Sequence, residues 1–307
     1  MFLGFDTSNY TTSAAAFDGK EIIQFKKLLE VKKNERGLRQ SDAVFQHTVN
    51  MPKILDPLSS AVSEKNIDAV GVSVKPRGIE GSYMPCFLVG ENTATAVSSF
   101  SHAPLFKTSH QTGHVLAALY SADCLEYIEK PFIAFHVSGG TTEALLVEPD
   151  KEDIIKCKII AQSTDLKAGQ VIDRTGVLLG LKFPCGVELE KLSEKSVNEF
   201  KIKPSMKGAD CSLSGIENKV KKMVEENKAP EDIAKFAIMS VNGALEAMAK
   251  QLKSDYPKLP IIFSGGVCSN KYINRNLSEK FSAVFAEPQF SSDNAAGIAV
   301  YAYLKSL

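Results

Sequence analysis

Short apolar runs that break off at small polar or glycine turns recur along the chain. Residues 133–147 read IAFHVSGGTTEALLV. An apolar strand enters Ser138-Gly139-Gly140, turns, and resumes as a second apolar strand from Glu143 to Val147, which predicts a β-hairpin. Glycine has no Cβ, so backbone N–H groups there can approach an anion, and the hydroxyls of Ser138, Thr141 and Thr142 add donors. A plain hairpin is the alternative. Residues 4–17, GFDTSNYTTSAAAF, align without gaps on residues 134–147 and match at Phe5/Phe135, Ser8/Ser138, Thr11/Thr141, Thr12/Thr142 and Ala14/Ala144. This weak internal repeat predicts a duplicated domain, each copy opening on a polar-tipped hairpin. Residues 260–270, PIIFSGGVCSN, give a third apolar strand ending in Ser-Gly-Gly before a helix-like run. Two hairpin tips and this turn would converge on a nucleotide in a cleft.

The remaining pattern alternates helices and strands. Helical spacing at Val44, Phe45, Thr48 and Val49, then Ile54, Leu55 and Leu58, predicts a helix over 41–63 with Ser41 or Asp42 as its cap. A buried strand over 67–74 delivers Lys75-Pro76-Arg77-Gly78. Helices are expected over 87–99, 165–181, 188–200, 212–228, 230–256 and 294–305. Residues 26–40, with Glu35-Arg36-Gly37, read as a solvated or substrate-facing loop. Residues 123–131 form a polar connector. It sets the expected division into lobes at 1–128 and 129–307, with the last helix free to cross back.

Composition narrows the class. A chain of 307 residues, 44% hydrophobic and 23% charged, has room for two domains and a substantial core. Its net charge of zero gives no general basic excess, so nucleic-acid contact would need a local patch or a partner. The most basic tract is Lys191, Lys195, Lys201, Lys203 and Lys207, either a solvated face or a contact to a phosphate backbone. Six scattered cysteines without Cys-x-x-Cys fit reduced thiols. The N-terminal run is not a secretory signal and no apolar run reaches membrane-spanning length. A cytoplasmic protein is expected.

One spacing carries chemistry by itself. His110 and His114 stand four apart in SHQTGHVLAALY, which on a helix puts both imidazoles on one face at metal-ligand spacing. Gln111 cannot be the general base of a zincin protease. Asp293, before the last helix, is the candidate third ligand, with helix capping as its other role. His47 is expected at a surface or core edge. On the helix over 165–181, Gly169, Asp173 and Gly176 share a face that a ligand or another helix would pack against, and Asp173 is placed to accept ribose hydroxyls.

Assembled, these residues resemble the TsaD family, the tRNA threonylcarbamoyltransferases formerly described as glycoproteases. The family's Glu-Thr-Ser corresponds to Asp6-Thr7-Ser8, its His-x-x-x-His to His110 and His114, and its Val-Ser-Gly-Gly-His-Thr to residues 137–142. Gly-Glu-Ala-Phe-Asp-Lys falls on 169–174 and Leu-Gly-Leu-x-Tyr-Pro-Gly-Gly on 179–186. Ser-Gly-Leu-Lys falls on 214–217, Gly-Gly-Val-x-x-Asn on 265–270, and Thr-Asp-Asn-(Gly/Ala)-Ala on 292–296. The resemblance implies an α/β, two-lobed, actin-like ATPase fold (that of sugar kinases, heat-shock ATPases and actin). It implies Fe(II) or Zn on His110, His114 and Asp293. An adenylate, threonylcarbamoyl-AMP or ATP/ADP, would lie on Val137, Ser138, Gly139, Gly140, Thr141, Asp173, Gly186 and Asn270. The acceptor would be a tRNA adenosine beside the anticodon. Family members act with a paralogous subunit and a small ATPase. The chain departs from the pattern at Tyr10-Thr11, in place of Asp-Glu, and at Thr141, Gln170 and Glu217, in place of His, Glu and Lys. The Gly-Pro-Gly loop has become Lys75-Pro76-Arg77-Gly78. These departures keep two other readings open: a silent paralogue acting as a partner subunit, and a small-molecule kinase with Asp6 as its carboxylate.

Overall fold

The computed structural model describes residues 1–8, 10–30, 38–62, 66–291 and 295–307. Asp293, and residues 31–37 of the charged loop expected over 26–40, including Glu35-Arg36-Gly37, lie outside the described residues. In chain order the elements are β1 (Phe2–Asp6), β2 (Thr11–Phe17), β3 (Ile22–Leu28), α1 (Gln40–Ala61), β4 (Ala69–Lys75), α2 (Phe87–Ser101), β5 (Leu105–Ser109) and α3 (His110–Ser121). Then come β6 (Phe132–Val137), β7 (Thr142–Asp150), β8 (Ile154–Gln162), α4 (Ala168–Leu178), α5 (Gly186–Ser193), β9 (Ser205–Lys207), β10 (Asp210–Ser212), α6 (Ser214–Glu225) and α7 (Pro230–Asp255). The chain closes with β11 (Ile261–Ser264), α8 (Lys271–Phe281), β12 (Val284–Phe285) and α9 (Ala296–Ser306). Two compact units result. The first holds residues 1–130, 148–157 and 292–307, and the second holds 131–147 and 158–291.

The internal repeat is visible in the strand registers. In the first sheet, order β3-β2-β1-β4-β5, Phe5 faces Ala14; in the second, order β12-β11-β6-β7-β8, Phe135 faces Ala144. Read from the hairpin outward, both sheets run third, second and first strand, then two parallel additions. The hairpin strands are buried on both faces, with Phe5, Ala14, Phe135 and Ala144 all fully enclosed.

In the first unit, Leu3, Phe5, Val70 and Val72 pack with Met51, Ile54 and Leu58 of α1 and Ala94 of α2. On the strands' other face lies α9, buried from Ala296 to Ala302. It comes so close to β1 that a Cβ at Gly4 would stand 2.4 Å from the backbone nitrogen of Ala299; only glycine allows that approach. The buried stripe of α1 differs from the expected one. Ala43, His47, Asn50, Met51, Ile54 and Leu58 face inward, whereas Phe45 and Val49 are exposed. Arg39, with no side-chain cap bond, holds the N-cap position instead of Ser41 or Asp42. His47 is completely buried rather than at an edge.

In the second unit, Phe135 stacks on Phe263 with ring centroids 4.4 Å apart. Around them close Val171 of α4, Leu189 of α5 and the long inner face of α7, including Leu245 and Met248. The helix expected over 188–200 is shorter and earlier: α5 ends at Ser193, and residues 197–204 run without regular structure.

Candidate functional site

The first unit gathers its polar groups at the end of β1. Asp6 is fully buried. One carboxylate oxygen accepts from the Ser8 amide at 2.9 Å and from the Ser8 hydroxyl. The other accepts from the Ser73 hydroxyl at 2.7 Å and lies 2.8 Å from His110 Nδ1. Burial alone would raise this carboxyl, but His110 and the Ser8 hydrogen bonds outweigh it and hold the pKa below its ordinary value. An ionised Asp6 only accepts, so His110 carries a proton on Nδ1, and Nε2 is the ring nitrogen turned away from Asp6. Thr7, next in sequence, donates to the Cys86 carbonyl and accepts from the Gly90 amide, tying β1 to α2.

His110 is the first residue of α3, whose cap Ser109 accepts from Thr112 N at 3.1 Å. The cap fixes the helix start, and the spacing of four brings the rings of His110 and His114 edge to face with centroids 4.3 Å apart. Among the described residues no group of three metal-ligating side chains comes together. The donor chemistry nonetheless fits a divalent metal. Two neighbouring imidazoles, one of them oriented through Nδ1 by a buried carboxylate, are the arrangement in which histidine ligates through Nε2. Sequence reasoning missed the Asp6–His110 pairing because 104 residues separate the partners; an aspartate closing a buried strand was its only signal.

The second unit joins its predicted residues into a closed circuit of short contacts. At the hairpin tip, Ser138 N donates to Thr141 O at 2.7 Å. The Ser138 hydroxyl accepts from the amides of Gly140 and Thr141 at 3.3 and 3.1 Å, so those amides are held by Ser138 rather than left open. Helix α4 sits against this tip. Its Gly169 amide donates to Ser138 O at 3.2 Å and its Ala168 amide to Thr142 Oγ1 at 2.8 Å. A Cβ on Gly169 would lie 2.6 Å from Gly139 N. One turn later Asp173 accepts from Cys185 N at 2.8 Å, which fixes Gly186 at the start of α5. Burial raises the Asp173 carboxyl above its ordinary value, against that hydrogen bond. From α5, Glu190 accepts from Lys271 N at 2.7 Å, and Asn270 Oδ1 caps α8 by accepting from Ile273 N at 3.1 Å. The loop returns through Gly265, whose φ of 98° and close approach to the Val137 backbone admit no side chain. Val137 itself is core, so only its backbone can face a ligand. Gly169 and Glu190 are the links missing from the expected set.

The departures have structural uses of their own. Gln170 Oε1 accepts from Lys167 N at 3.0 Å, a capping contact at the start of α4. Glu217 pairs with Lys221 at 2.7 Å and Arg174 at 2.8 Å. Those hydrogen bonds hold its carboxyl below the ordinary value despite the opposing desolvation. Thr11 is buried in β2, with Tyr10 exposed beside it.

The duplicated sheets and their order define a class, and solved structures bear it out. The chain is similar to component A of (R)-2-hydroxyglutaryl-CoA dehydratase from Acidaminococcus fermentans, at 17% identity and a TM-score of 0.59, covering 99% of this chain and 98% of that one. It is also similar to a ROK family glucokinase from Streptomyces griseus in complex with glucose and AMPPNP, at 10% identity and a TM-score of 0.53, covering 99% and 98%. The fold is the two-lobed α/β fold of actin-like ATPases. The TsaD family model, described as tRNA N6-adenosine threonylcarbamoyltransferase, matches residues 24–300. Proteins of that name from Thermosipho africanus and Dictyoglomus turgidum are each 30% identical over 320 residues; the alignments cover 99% and 98% of this chain and 93% and 92% of the relatives. The chain belongs to the TsaD family. Among the described residues no helix is long and apolar enough to cross a membrane.

Proposed function

We propose that this protein acts in the cytosol, transferring the threonylcarbamoyl group of threonylcarbamoyl-AMP to the exocyclic amine of a tRNA adenosine beside the anticodon. The observation that carries the reading is the near full-length match to relatives of that name. The residues of the family motifs also join into one circuit in the second unit. In this reading Val137 to Thr141, Gly186 and Asn270 hold the adenylate. Gly169 lets α4 press the hairpin tip into place, and Asp173 accepts from a ribose hydroxyl with the oxygen that Cys185 N leaves. Opening of the Ser138 hydroxyl from the Gly140 and Thr141 amides would free two donors for the phosphate.

His110 and His114, with Asp293, would hold Fe(II) or Zn, which supplies Lewis acidity toward the carbamoyl carbonyl when bound. Asp6 keeps the Nδ1 proton of His110 in place throughout. All this leaves the kinase reading without its carboxylate, since both Asp6 oxygens are taken. A paralogous subunit and a small ATPase complete the proposed assembly. The test is incubation with threonylcarbamoyl-AMP and unmodified tRNA, those two partners supplied, and mass spectrometry of the digested nucleosides. Threonylcarbamoyladenosine is expected, and its absence overturns the assignment.

A further inference from the structure

A second concave site lies within the second unit, apart from the residues assigned to the adenylate. It is a cavity of about 90 Å³. The irregular segment 201–204 forms one wall. The first turns of α6, with Ile216 and Lys219, form another, and Phe236 and Ser240 of α7 also line it. Lys201, Lys203 and Lys219 stand around it, and its lining holds no carboxylate. All three lysines are exposed. Among the described residues none of them pairs with an acid, although the neighbouring Lys221, Lys222 and Lys235 all do. Ser240, only 4% exposed, lines the same cavity.

Charge and size together select the ligand. Three unpaired ammonium groups without a counter-charge attract an anion. The cavity has room for a phosphate group, and the cations sit on its open rim. Lys195 and Lys207, near in sequence, are also exposed. The whole chain is neutral, so this concentration is local. Ile216 and Phe236 give the floor apolar area on which a ribose edge can rest.

We infer that this cavity is a docking point for the phosphodiester backbone of the tRNA substrate, with Lys201, Lys203 and Lys219 neutralising successive phosphates and Ser240 donating to one phosphate oxygen. The inference rests on the proposed function for the identity of the RNA. It makes the contact sequence-independent: the lysines position the RNA and read no base.

The test compares the full-length protein with a K201A/K203A/K219A variant and a K201R/K203R/K219R variant. Binding of unmodified tRNA is followed by fluorescence anisotropy between 50 and 200 mM salt. Losing three phosphate contacts should weaken binding about tenfold or more at the low end. It should also reduce the slope of log affinity against log salt by about 2. The arginine variant should retain both. Calorimetric titration with adenosine monophosphate should give the same affinity for all three proteins, since none of the lysines belongs to the adenylate circuit. An alanine variant with unchanged tRNA affinity and salt slope overturns the inference and leaves the transferase reading standing. Failure of the unaltered protein to bind tRNA at any salt, with the paralogous subunit and the small ATPase supplied, sinks both. Saturation of the site by millimolar inorganic phosphate without loss of tRNA affinity overturns the RNA assignment in favour of a free anion.

Discussion

Replacing Gly169 with alanine tests the second unit's circuit at its tightest point. The new Cβ would stand 2.6 Å from Gly139 N, 2.7 Å from Gly139 Cα and 2.8 Å from the Ser138 carbonyl carbon, where ordinary contact begins at 3.4 Å. All three neighbours are backbone, so no side chain can swing away. Either α4 retreats or the hairpin tip moves, by ~1 Å, because packed interiors have no slack to absorb the overlap. Overpacking of this kind costs ~1–3 kcal/mol. The Gly169–Ser138 hydrogen bond, 3.2 Å long at present, would be lost at ~1 kcal/mol. Alanine's better helix propensity returns up to ~1 kcal/mol. The net loss of about 1–3 kcal/mol corresponds to a fall in melting temperature of about 2–5 °C for a chain of this size. Because the displaced atoms are those proposed to hold the adenylate, affinity for adenosine monophosphate should fall at least tenfold, the scale on which ~1 Å errors of placement act. Differential scanning calorimetry reads the first effect and isothermal titration the second. Gly140→Ala is the control: its Cβ meets nothing within 4 Å, so its melting temperature should stay within about 1 °C. A Gly169→Ala protein that melts and binds like the parent would refute the reasoning.

Three further outcomes follow from single contacts. Asn270→Asp keeps the oxygen that caps α8 but loses the amide donor, so it should weaken adenylate binding at an unchanged melting temperature. Asn270→Ala should lower both, the stability by ~1 kcal/mol; equal adenylate affinity in the two variants and the parent would remove Asn270 from the site. Asp6→Asn should lower zinc or iron affinity about 10–100-fold by releasing the orientation of His110, measured by metal titration, and unaltered affinity would contradict that role. His47 has burial pushing its pKa down to about 4 from 6.5, against the pull of Asp6. Its Nδ1 lies 2.9 Å from Thr12 Oγ1, and its Nε2 has no partner among the described residues. The unfolded chain therefore binds the extra proton between those values. Stability should be complete above pH 6.5 and fall by up to about 3 kcal/mol as pH drops toward 4. His47→Gln should flatten that part of the urea-midpoint profile, and an identical profile would exclude His47 as the source.

The duplicated architecture was legible because the hairpin pattern carries its own register: of five identities over fourteen positions, Phe5/Phe135 and Ala14/Ala144 fell on residues that pair identically in the two sheets. The His110/His114 helix was legible through spacing alone. The inner face of α1 was not, since it uses polar His47 and Asn50 where apolar counting chose Phe45 and Val49. Contacts such as Asp6 to His110 and Glu190 to Lys271 join residues far apart in sequence, and no local pattern announces them. The helix expected over 188–200 was drawn too long because its second half offers no inward face: Val197 points into solvent at 92% exposure.

The placement of α9 bears on how the protein is made. It belongs to the first unit yet leaves the ribosome only after the second unit, which ends at Ser291. A nascent chain that has just emerged through Ser291 already holds everything the later half needs to fold. The earlier half must still wait, its β1 and β4 strands lacking the helix that lies across them. Synthesis order is thereby inverted: the half translated first is the half finished last.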